Sequence, residues 1–157
     1  MRIIPGKKRP DPRAALAGRG LRQTRARQVI LETVCGTDGH PTAEWVWQRV
    51  RRTRPRVSLG TVYRNLRQLV AAGLLVERAD VAGSRFDGNT AEHHHFTCLR
   101  CRRVFDLAEP VNPALHRQVA SRTGFEVLHH RIEFYGRCAD CRSPRKRRRA
   151  AAWQARA

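Results

Sequence analysis

Two Cys-x-x-Cys pairs constrain the fold of this chain more than any other feature of its sequence. The first is Cys98-Leu-Arg-Cys101, and the second, after a gap of thirty-six residues, is Cys138-Ala-Asp-Cys141. Two intervening residues let both sulfurs of a pair turn toward one ion, so the pairs together predict a tetrahedral Cys₄ zinc site. Two disulfides, or four unrelated buried thiols, are the alternative, and the matched spacing argues against both.

Three consecutive histidines, His93, His94 and His95, stand just before the first pair. A Cys₄ site has no use for imidazole ligands. The histidines are therefore available for a second metal ion.

Positive charge is concentrated in particular segments of the chain. The formal net charge of the 157 residues is +19. Residues 1–13 contribute +4 (five basic, one acidic), residues 14–73 contribute +8 (eleven Arg, three acidic) and residues 142–157 contribute +7, whereas residues 74–141, with nine of each sign, contribute nothing. A surface that is merely solvated would not sort its charge by segment. The distribution predicts a polyanionic partner, most simply nucleic acid.

The sequence also favours a cytoplasmic location. No apolar run is long enough for a transmembrane helix, and no signal-peptide pattern opens the chain. Four of the five cysteines have metal-binding spacing, which suits a reducing compartment. We therefore expect no membrane partner.

Three helices are predicted in the N-terminal half, opened by the N-cap residues Thr24, Thr42 and Ser58. The third helix has an apolar stripe and a second stripe at the same spacing, which consists of Gly60, Tyr63, Arg64 and Arg67. Two short strands, at 74–78 and 84–87, follow it. This succession is typical of a winged helix-turn-helix, although an ordinary three-helix bundle with solvated arginines would share part of the pattern.

The third helix is the expected DNA-reading element. Arginine can bind guanine edges or phosphates, and Tyr63 can contact a phosphate or a thymine methyl group. We predict that a double-stranded DNA operator is contacted by Ser58, Thr61, Tyr63, Arg64 and Arg67.

After the polar stretch 88–92 the pattern changes to β structure. Strands are predicted at 94–98 and 103–107 on either side of the first Cys pair. Asn112-Pro113 opens a helix that reaches Gly124, and a long strand is predicted from Phe125 to Tyr135.

The chain resembles the ferric uptake regulator family of bacterial metal-dependent transcription repressors. The resemblance runs from Leu21 to Cys141 and rests on His40-Pro-Thr-Ala-Glu44, Ser58-Leu-Gly-Thr-Val-Tyr-Arg-Asn-Leu66, Gly73-Leu-Leu75, Ser84-Arg-Phe-Asp87, His93-His-His95, both Cys pairs, Gly124-Phe125 and His129-His-Arg-Ile-Glu-Phe-Tyr-Gly136. It implies a homodimer of α+β class, with an N-terminal winged helix-turn-helix domain followed by a small zinc-clipped α/β dimerisation domain. The expected organisation is a basic disordered arm (1–20), the winged-helix domain (21–87), a hinge (88–92), the dimerisation and metal-binding domain (93–141) and a basic disordered tail (142–157).

The resemblance implies two metal sites of different chemistry. Structural Zn(II) would bind Cys98, Cys101, Cys138 and Cys141, and a regulatory ion would bind His40, Asp87, His93, His95 and Asp106. The second donor set suits Fe(II), Mn(II) or Zn(II). Asp at position 106, where iron-sensing members usually have Glu, is similar to the peroxide-sensing subgroup, in which Fe(II) and hydrogen peroxide oxidise a ligand histidine, here His40 or His93. We therefore expect Fe(II) or Mn(II), with Zn(II) as the alternative.

Two positions depart from the family pattern. Arg102 replaces the glycine that usually follows the first Cys pair. A further metal site of some members would use positions 92, 94, 113 and 130, and here Pro113 has no donor, so that site is expected to be incomplete.

Three other functions compete with a peroxide-responsive repressor. An iron- or zinc-uptake regulator of the same family is the first. A metal-dependent hydrolase or nuclease needs an open coordination position and a general base, and the sequence offers no further nucleophile, so we expect no enzymatic activity and no small-molecule substrate. A basic zinc-ribbon protein that binds RNA would leave His40, Asp87 and Asp106 unexplained.

Overall fold

The computed structural model describes residues 11–37, 39–80, 83–108 and 112–142, which form two compact units that divide between Thr90 and Ala91. Each unit combines helices and strands, which confirms the predicted α+β class. Residues 1–10 and 143–157, which hold half of the predicted arm and almost all of the predicted tail, lie outside the described residues.

The N-terminal unit contains four helices followed by a two-stranded sheet. The elements are α1 (Pro12–Ala17), α2 (Arg25–Cys35), α3 (Ala43–Val50), α4 (Leu59–Ala71), β1 (Val76–Asp80) and β2 (Gly83–Asp87). The hydroxyls of Thr24, Thr42 and Ser58 accept hydrogen bonds from backbone N–H groups in the first turns of α2, α3 and α4, as N-caps do. None of the helices in the described ranges combines the length and apolarity needed to cross a membrane.

Helix α1 is a correction to the predicted disordered arm over residues 1–20. The Asp11 carboxylate accepts hydrogen bonds from the backbone N–H groups of Arg13 and Ala14, and Pro12 occupies the first helical position. The Leu16 side chain is fully buried in the core of the N-terminal unit. Burial of this one leucine stabilises a short helix that sequence periodicity could not reveal.

The core of the N-terminal unit lies between its helices and β2. Its fully buried side chains include Ile30, Val34, Val46, Val50, Val62, Leu66, Leu69 and Phe86. Helix α4 supplies three of them from one face, at the spacing of the predicted apolar stripe. The opposite face of α4 is left for solvent.

The C-terminal unit contains a three-stranded sheet. Its elements are β3 (His94–Cys98), β4 (Val104–Leu107), α5 (Pro113–Thr123), β5 (Glu133–Gly136) and α6 (Ala139–Arg142). The sheet order is β4-β3-β5, with β3 antiparallel to β4 and parallel to β5. Helix α5 lies in the connection from β4 to β5. This connection brings the chain back across the sheet, so that β5 can run parallel to β3.

The predicted strand from Phe125 to Tyr135 is too long, since regular pairing is limited to β5. A strand needs a neighbour for its backbone groups. Strand β3 supplies this neighbour only where its residues His95–Cys98 face Glu133–Gly136. Upstream, Phe125 and Leu128 are 69% and 75% exposed.

We predict that Gly88→Ala destabilises the N-terminal unit. A Cβ at position 88 would lie 2.8 Å from the Sγ of Cys35 and 3.1 Å from its Cα. Overpacking of this kind costs about 1–3 kcal/mol. Urea denaturation followed through the fluorescence of Trp45 and Trp47 measures the change.

Gly60→Ala is the matched control, because a Cβ there meets nothing closer than the Ser58 hydroxyl at 4.0 Å. It should raise the free energy of unfolding by about 0.5–1 kcal/mol, since alanine favours the helix. Adding Cys35→Ala to Gly88→Ala should recover part of the loss. Equal stability of Gly88→Ala and the parent would refute the close packing.

Candidate metal centres and nucleic-acid interface

Four cysteine sulfurs converge in the C-terminal unit. Cys98 ends β3, Cys101 lies in the turn that follows it, and Cys138 and Cys141 lie just before and within α6. All four are buried free thiols whose sulfurs lie within 4.8 Å of one another. The Cys101 and Cys138 sulfurs are 3.8 Å apart, which is too far for a disulfide. It equals the separation of about 3.8 Å that tetrahedral zinc–sulfur bonds of about 2.3 Å impose.

Backbone geometry fixes both Cys-x-x-Cys turns. The carbonyl of Cys98 accepts from the Arg102 N–H at 2.8 Å, and the carbonyl of Cys138 accepts from the Cys141 N–H at 3.0 Å. The Cys138 N–H also donates to the Cys98 sulfur at 3.4 Å. Arg102 has φ +58°, a conformation that glycine adopts with less strain. The glycine expected at this position from the family pattern is thus replaced by an arginine in the same left-handed conformation.

The thiols differ in acidity. Burial acts to raise the pKa of Cys98, but hydrogen bonds from the backbone N–H groups of Cys101, Cys138 and Arg100 outweigh it and lower that pKa to about 6. Burial and the neighbouring sulfurs raise the pKa of Cys141 to about 12. Near neutral pH the cluster therefore mixes thiol and thiolate, and a bound cation would displace the remaining protons.

The N-terminal unit brings His40 and Asp87 together. The Nε2 atom of His40 lies 2.9 Å from Oδ2 of Asp87, and both side chains are buried. His40 has φ +47°, and its carbonyl accepts from the Arg85 guanidinium at 3.1 Å. The second carboxylate oxygen of Asp87 accepts from the Asn89 N–H at 2.8 Å. One imidazole and one carboxylate are thus held rigidly at the end of β2.

The C-terminal unit brings His93, His95 and Asp106 together. His95 on β3 stands directly opposite Asp106 on β4. Oδ1 of Asp106 lies 3.3 Å from Nε2 of His93 and 3.7 Å from Nε2 of His95. Nδ1 of His93 lies 2.7 Å from the carbonyl of Ala91, which can only accept, so Nδ1 must carry a proton. With that proton on Nδ1, the lone pair of the neutral imidazole is on Nε2, on the side of Asp106.

A third group of histidines includes one that sequence reasoning missed. The His130 ring lies 5.8 Å from the ring of His94 and 4.7 Å from that of His116 on α5. The only sequence signal that places His116 near this group is its position one helical turn after Pro113. Among the described residues, two groups bring three or more donor atoms within 4.8 Å of one another, and both consist of ligands that the sequence predicted. His94, His116 and His130 belong to neither group, so they do not form an assembled site.

The exposed face of α4 carries the predicted DNA contacts. Gly60, Arg64 and Arg67 are exposed and, with Tyr63, Gln68 and Ala71, line a shallow hollow of about 430 Å³. The Ser58 hydroxyl accepts from the Thr61 N–H at 3.2 Å and lies 2.9 Å from the Thr61 hydroxyl, so both hydroxyls serve the helix cap.

Tyr63 is fixed by a carboxylate on α3. Its hydroxyl donates to Oε1 of Glu44 at 2.6 Å. This hydrogen bond is the main cause that lowers the pKa of Glu44 and raises the pKa of Tyr63. The tyrosine ring is consequently held in place on the exposed face of α4.

Arg27 is a second residue that sequence reasoning missed. It is buried, although its charge belongs to the excess in residues 14–73 that predicts a polyanionic partner. Its guanidinium donates to Oδ1 of Asn65 at 3.1 Å, to the carbonyl of Arg22 at 2.7 Å and to Oε1 of Gln68. Arg27 therefore anchors α4 to α2 instead of facing solvent.

A winged helix with an arginine-bearing face, followed by a small sheet with a four-sulfur cluster, defines a class of metal-binding DNA regulators. Residues 18–135 match the model of the ferric uptake regulator family. The peroxide-responsive repressor PerR of Staphylococcus aureus strain Mu50 is 36% identical over 129 residues, which are 82% of this chain and 87% of that protein. The chain belongs to the ferric uptake regulator family, as its motifs predicted.

Solved structures agree with this assignment. The Vibrio cholerae ferric uptake regulator is 29% identical with a TM-score of 0.68, over 82% of this chain and all of that one. A zinc uptake regulator complexed with zinc and DNA is 26% identical with a TM-score of 0.62, over 82% of this chain and 89% of that one. The match covers both units.

We predict that Arg27→Met lowers the free energy of unfolding by about 1–3 kcal/mol, because the buried side-chain oxygen of Asn65 loses its donor. Arg25→Met is the control, since Arg25 lies exposed in the same helix and the charge change is identical. The control should stay within about 0.5 kcal/mol of the parent. Urea denaturation of both variants checks this, and equal losses would show that the charge matters and the buried contacts do not.

Proposed function

We propose that this protein is a cytoplasmic, homodimeric repressor that binds a DNA operator in a metal-dependent manner and responds to peroxide. The observation that carries this proposal is the presence of two donor sets of different chemistry in a winged-helix chain. One set contains only sulfur, and the other contains only imidazole and carboxylate. The first suits a structural ion and the second an exchangeable one.

The sulfur set is proposed to hold structural Zn(II). Four buried sulfurs within 4.8 Å of one another can satisfy the ion completely and leave no position for a substrate. The cluster also joins the turn after β3 to α6, which are far apart in sequence. A closed site of this kind supports folding and does not support catalysis, so we propose no enzymatic activity.

The regulatory ion is proposed to bind His40 and Asp87 of the N-terminal unit together with His93, His95 and Asp106 of the C-terminal unit. Each unit alone offers too few ligands for the six-coordinate geometry common for Fe(II) and Mn(II). The Nε2 lone pair of His93, directed at Asp106, is arranged as a metal ligand would be. Zn(II) could occupy the same donors, and this would make the protein a metal-uptake regulator.

Regulation follows from the distribution of the donors over two units. His40 and Asp87 are attached to the winged-helix unit, whereas His93, His95 and Asp106 are attached to the unit that contains the three-stranded sheet. Ligands supplied by both units favour one relative orientation and so couple metal binding to DNA binding, with a coupling free energy of about 1–3 kcal/mol. When Fe(II) is bound, it supplies the redox chemistry by which hydrogen peroxide oxidises a ligand histidine, for which we propose His40 or His93.

The peroxide response is supported by the relative in Staphylococcus aureus and by one residue. That relative is named a peroxide-responsive repressor. Asp106 is the carboxylate that resembles the peroxide-sensing subgroup, and its short side chain places Oδ1 close to both His93 and His95.

Dimerisation is supported by the surface of the C-terminal unit. Helix α5 buries none of its residues, and Phe125, Leu128 and Tyr135 are exposed large apolar side chains. Such a surface in a small unit is typical of an interface between subunits. A second copy of the chain is the proposed partner.

DNA is proposed to be read by the exposed face of α4. Arg64 and Arg67 project from it without a carboxylate partner described within salt-bridge distance, and either can bind a guanine edge or a phosphate. Tyr63 has one hydroxyl proton, and it is donated to Glu44. We therefore propose that Tyr63 contacts a thymine methyl group with its ring and does not donate to a phosphate.

We predict that Arg64→Ala weakens operator binding by about 1–3 kcal/mol but hardly changes binding to scrambled DNA. Tyr63→Phe should stay within about threefold of the parent, because the hydroxyl proton is not offered to DNA. Fluorescence anisotropy titrations on both duplexes measure the affinities. The tail variant Arg147→Ala is the control and should weaken binding to both duplexes alike. If Arg64→Ala shows the same pattern, Arg64 contacts only phosphate and reads no base.

We predict that His40→Ala folds, dimerises and keeps its structural zinc but loses metal-stimulated operator binding. Fe(II)-loaded parent protein should dissociate from the operator on treatment with low peroxide, with one oxygen added to His40 or His93, whereas the Mn(II)-loaded form should stay bound. Gel-shift titrations and mass spectrometry of the histidine peptides measure these outcomes.

Two results would contradict the proposal at different levels. If the Fe(II)-loaded protein remains on DNA with unmodified histidines, the protein is an iron- or zinc-uptake regulator and not a peroxide sensor. If His40→Ala responds fully to metal, the coupling of the two units through one ion is wrong.

A further inference from the structure

Arg103 contacts both halves of the four-sulfur cluster. Its Nε donates to the Cys101 sulfur at 3.4 Å, and its Nη2 donates to the Cys138 sulfur at 3.5 Å. These sulfurs belong to different Cys-x-x-Cys pairs. A single planar guanidinium therefore spans the two turns that a bound ion would have to hold together.

The position of Arg103 is itself fixed. Nη2 also forms a 2.6 Å ion pair with Oδ2 of Asp140, the residue between Cys138 and Cys141. The guanidinium carbon lies 5.3 Å from the centre of the Phe105 ring. The Arg103 side chain is only 20% exposed. It is thus oriented from several sides, which limits the entropy lost when it binds the sulfurs.

The chemistry of the cluster explains what such a cation does. Four thiolates outweigh the charge of one divalent ion, so a loaded site carries excess negative charge in a buried place. Hydrogen bonds from a cation to sulfur disperse that charge and hold the sulfurs in position. Without them a sulfur is more easily protonated and leaves the ion sooner.

We propose that Arg103 is a positioning residue of the Cys₄ site, which holds one sulfur of each Cys pair and slows the loss of the structural ion. This inference rests on the proposed zinc site. Asp140 has a supporting role, because it orients the guanidinium from within the second turn.

The test compares Arg103→Gln with Arg137→Gln, which removes the same charge beside Cys138 from an exposed arginine. Zinc content of the purified dimers is measured first, and then the rate of zinc transfer to a chromogenic chelator. Arg103→Gln should release zinc about 10–100-fold faster than the parent, in the range typical of groups that support metal ligands. Arg137→Gln should match the parent, and Arg103→Lys, which cannot reach both sulfurs in one plane, should fall between them.

Cobalt(II) substituted at the four cysteines gives a readout that a purely structural role would not change. Loss of hydrogen bonds to sulfur should shift the sulfur-to-cobalt charge-transfer band to lower energy in Arg103→Gln but not in Arg137→Gln. If Arg103→Gln does not fold, Asp140→Asn, which keeps the arginine but frees it, should show the same changes to a smaller extent.

Three results would overturn the inference. Release rates within twofold of the parent in both Arg103→Gln and Asp140→Asn would remove Arg103 from the site. Equal acceleration in Arg137→Gln would show an effect of net charge alone. Parent protein without zinc would instead refute the zinc assignment itself, and that failure is visible before any variant is measured.

Discussion

The four sulfurs take the place of a hydrophobic core in the C-terminal unit. Among the described residues, its cluster of buried residues consists of Cys98, Cys101, Cys138 and Cys141, with Phe96 and Phe105 packed against it. Four small cysteine side chains bring little hydrophobic stabilisation, and close thiolates repel each other. A cation among them would turn this repulsion into attraction, so that metal binding and folding of the unit would share one free energy. On the proposed zinc site, the rest of the unit depends on that interaction.

The hairpin that carries Cys98 also carries two of the other donors. Cys98 ends β3, and its backbone N–H donates to the carbonyl of Arg103, the residue before β4. This hydrogen bond sets the β3–β4 register, in which His95 stands opposite Asp106. A slip by one residue would turn one of these side chains to the other face of the sheet. The four-sulfur cluster and two of the proposed regulatory donors, His95 and Asp106, are therefore linked through a single hairpin.

Local chemistry made much of the structure predictable. The N-caps Thr24, Thr42, Ser58 and Asn112 begin their helices where the sequence indicated, because a capping hydroxyl or amide needs only the next few residues. The Cys pairs could be assigned to a common cluster, since metal chemistry restricts their spacing. The features that were missed depend on contacts distant in sequence. Helix α1 is stable only because Leu16 packs into the core. Arg27 is buried only because α4 supplies acceptors for its guanidinium. The strand predicted from Phe125 to Tyr135 was too long, because the sequence pattern does not show where the neighbouring strand ends.

Strand β2 holds His40 in two ways. Arg85 binds the backbone carbonyl of His40, and Asp87, two residues later on the same face of the strand, contacts its imidazole. The isolated bridge between Thr42 and Arg85 and the hydrogen bond from Phe86 to Pro41 secure the same loop. The wing is thus not an interchangeable module. A chimera that received β1 and β2 of another winged-helix protein would keep a hairpin of the right shape but lose the groups that hold His40, so that this hairpin and the histidine must be inherited together.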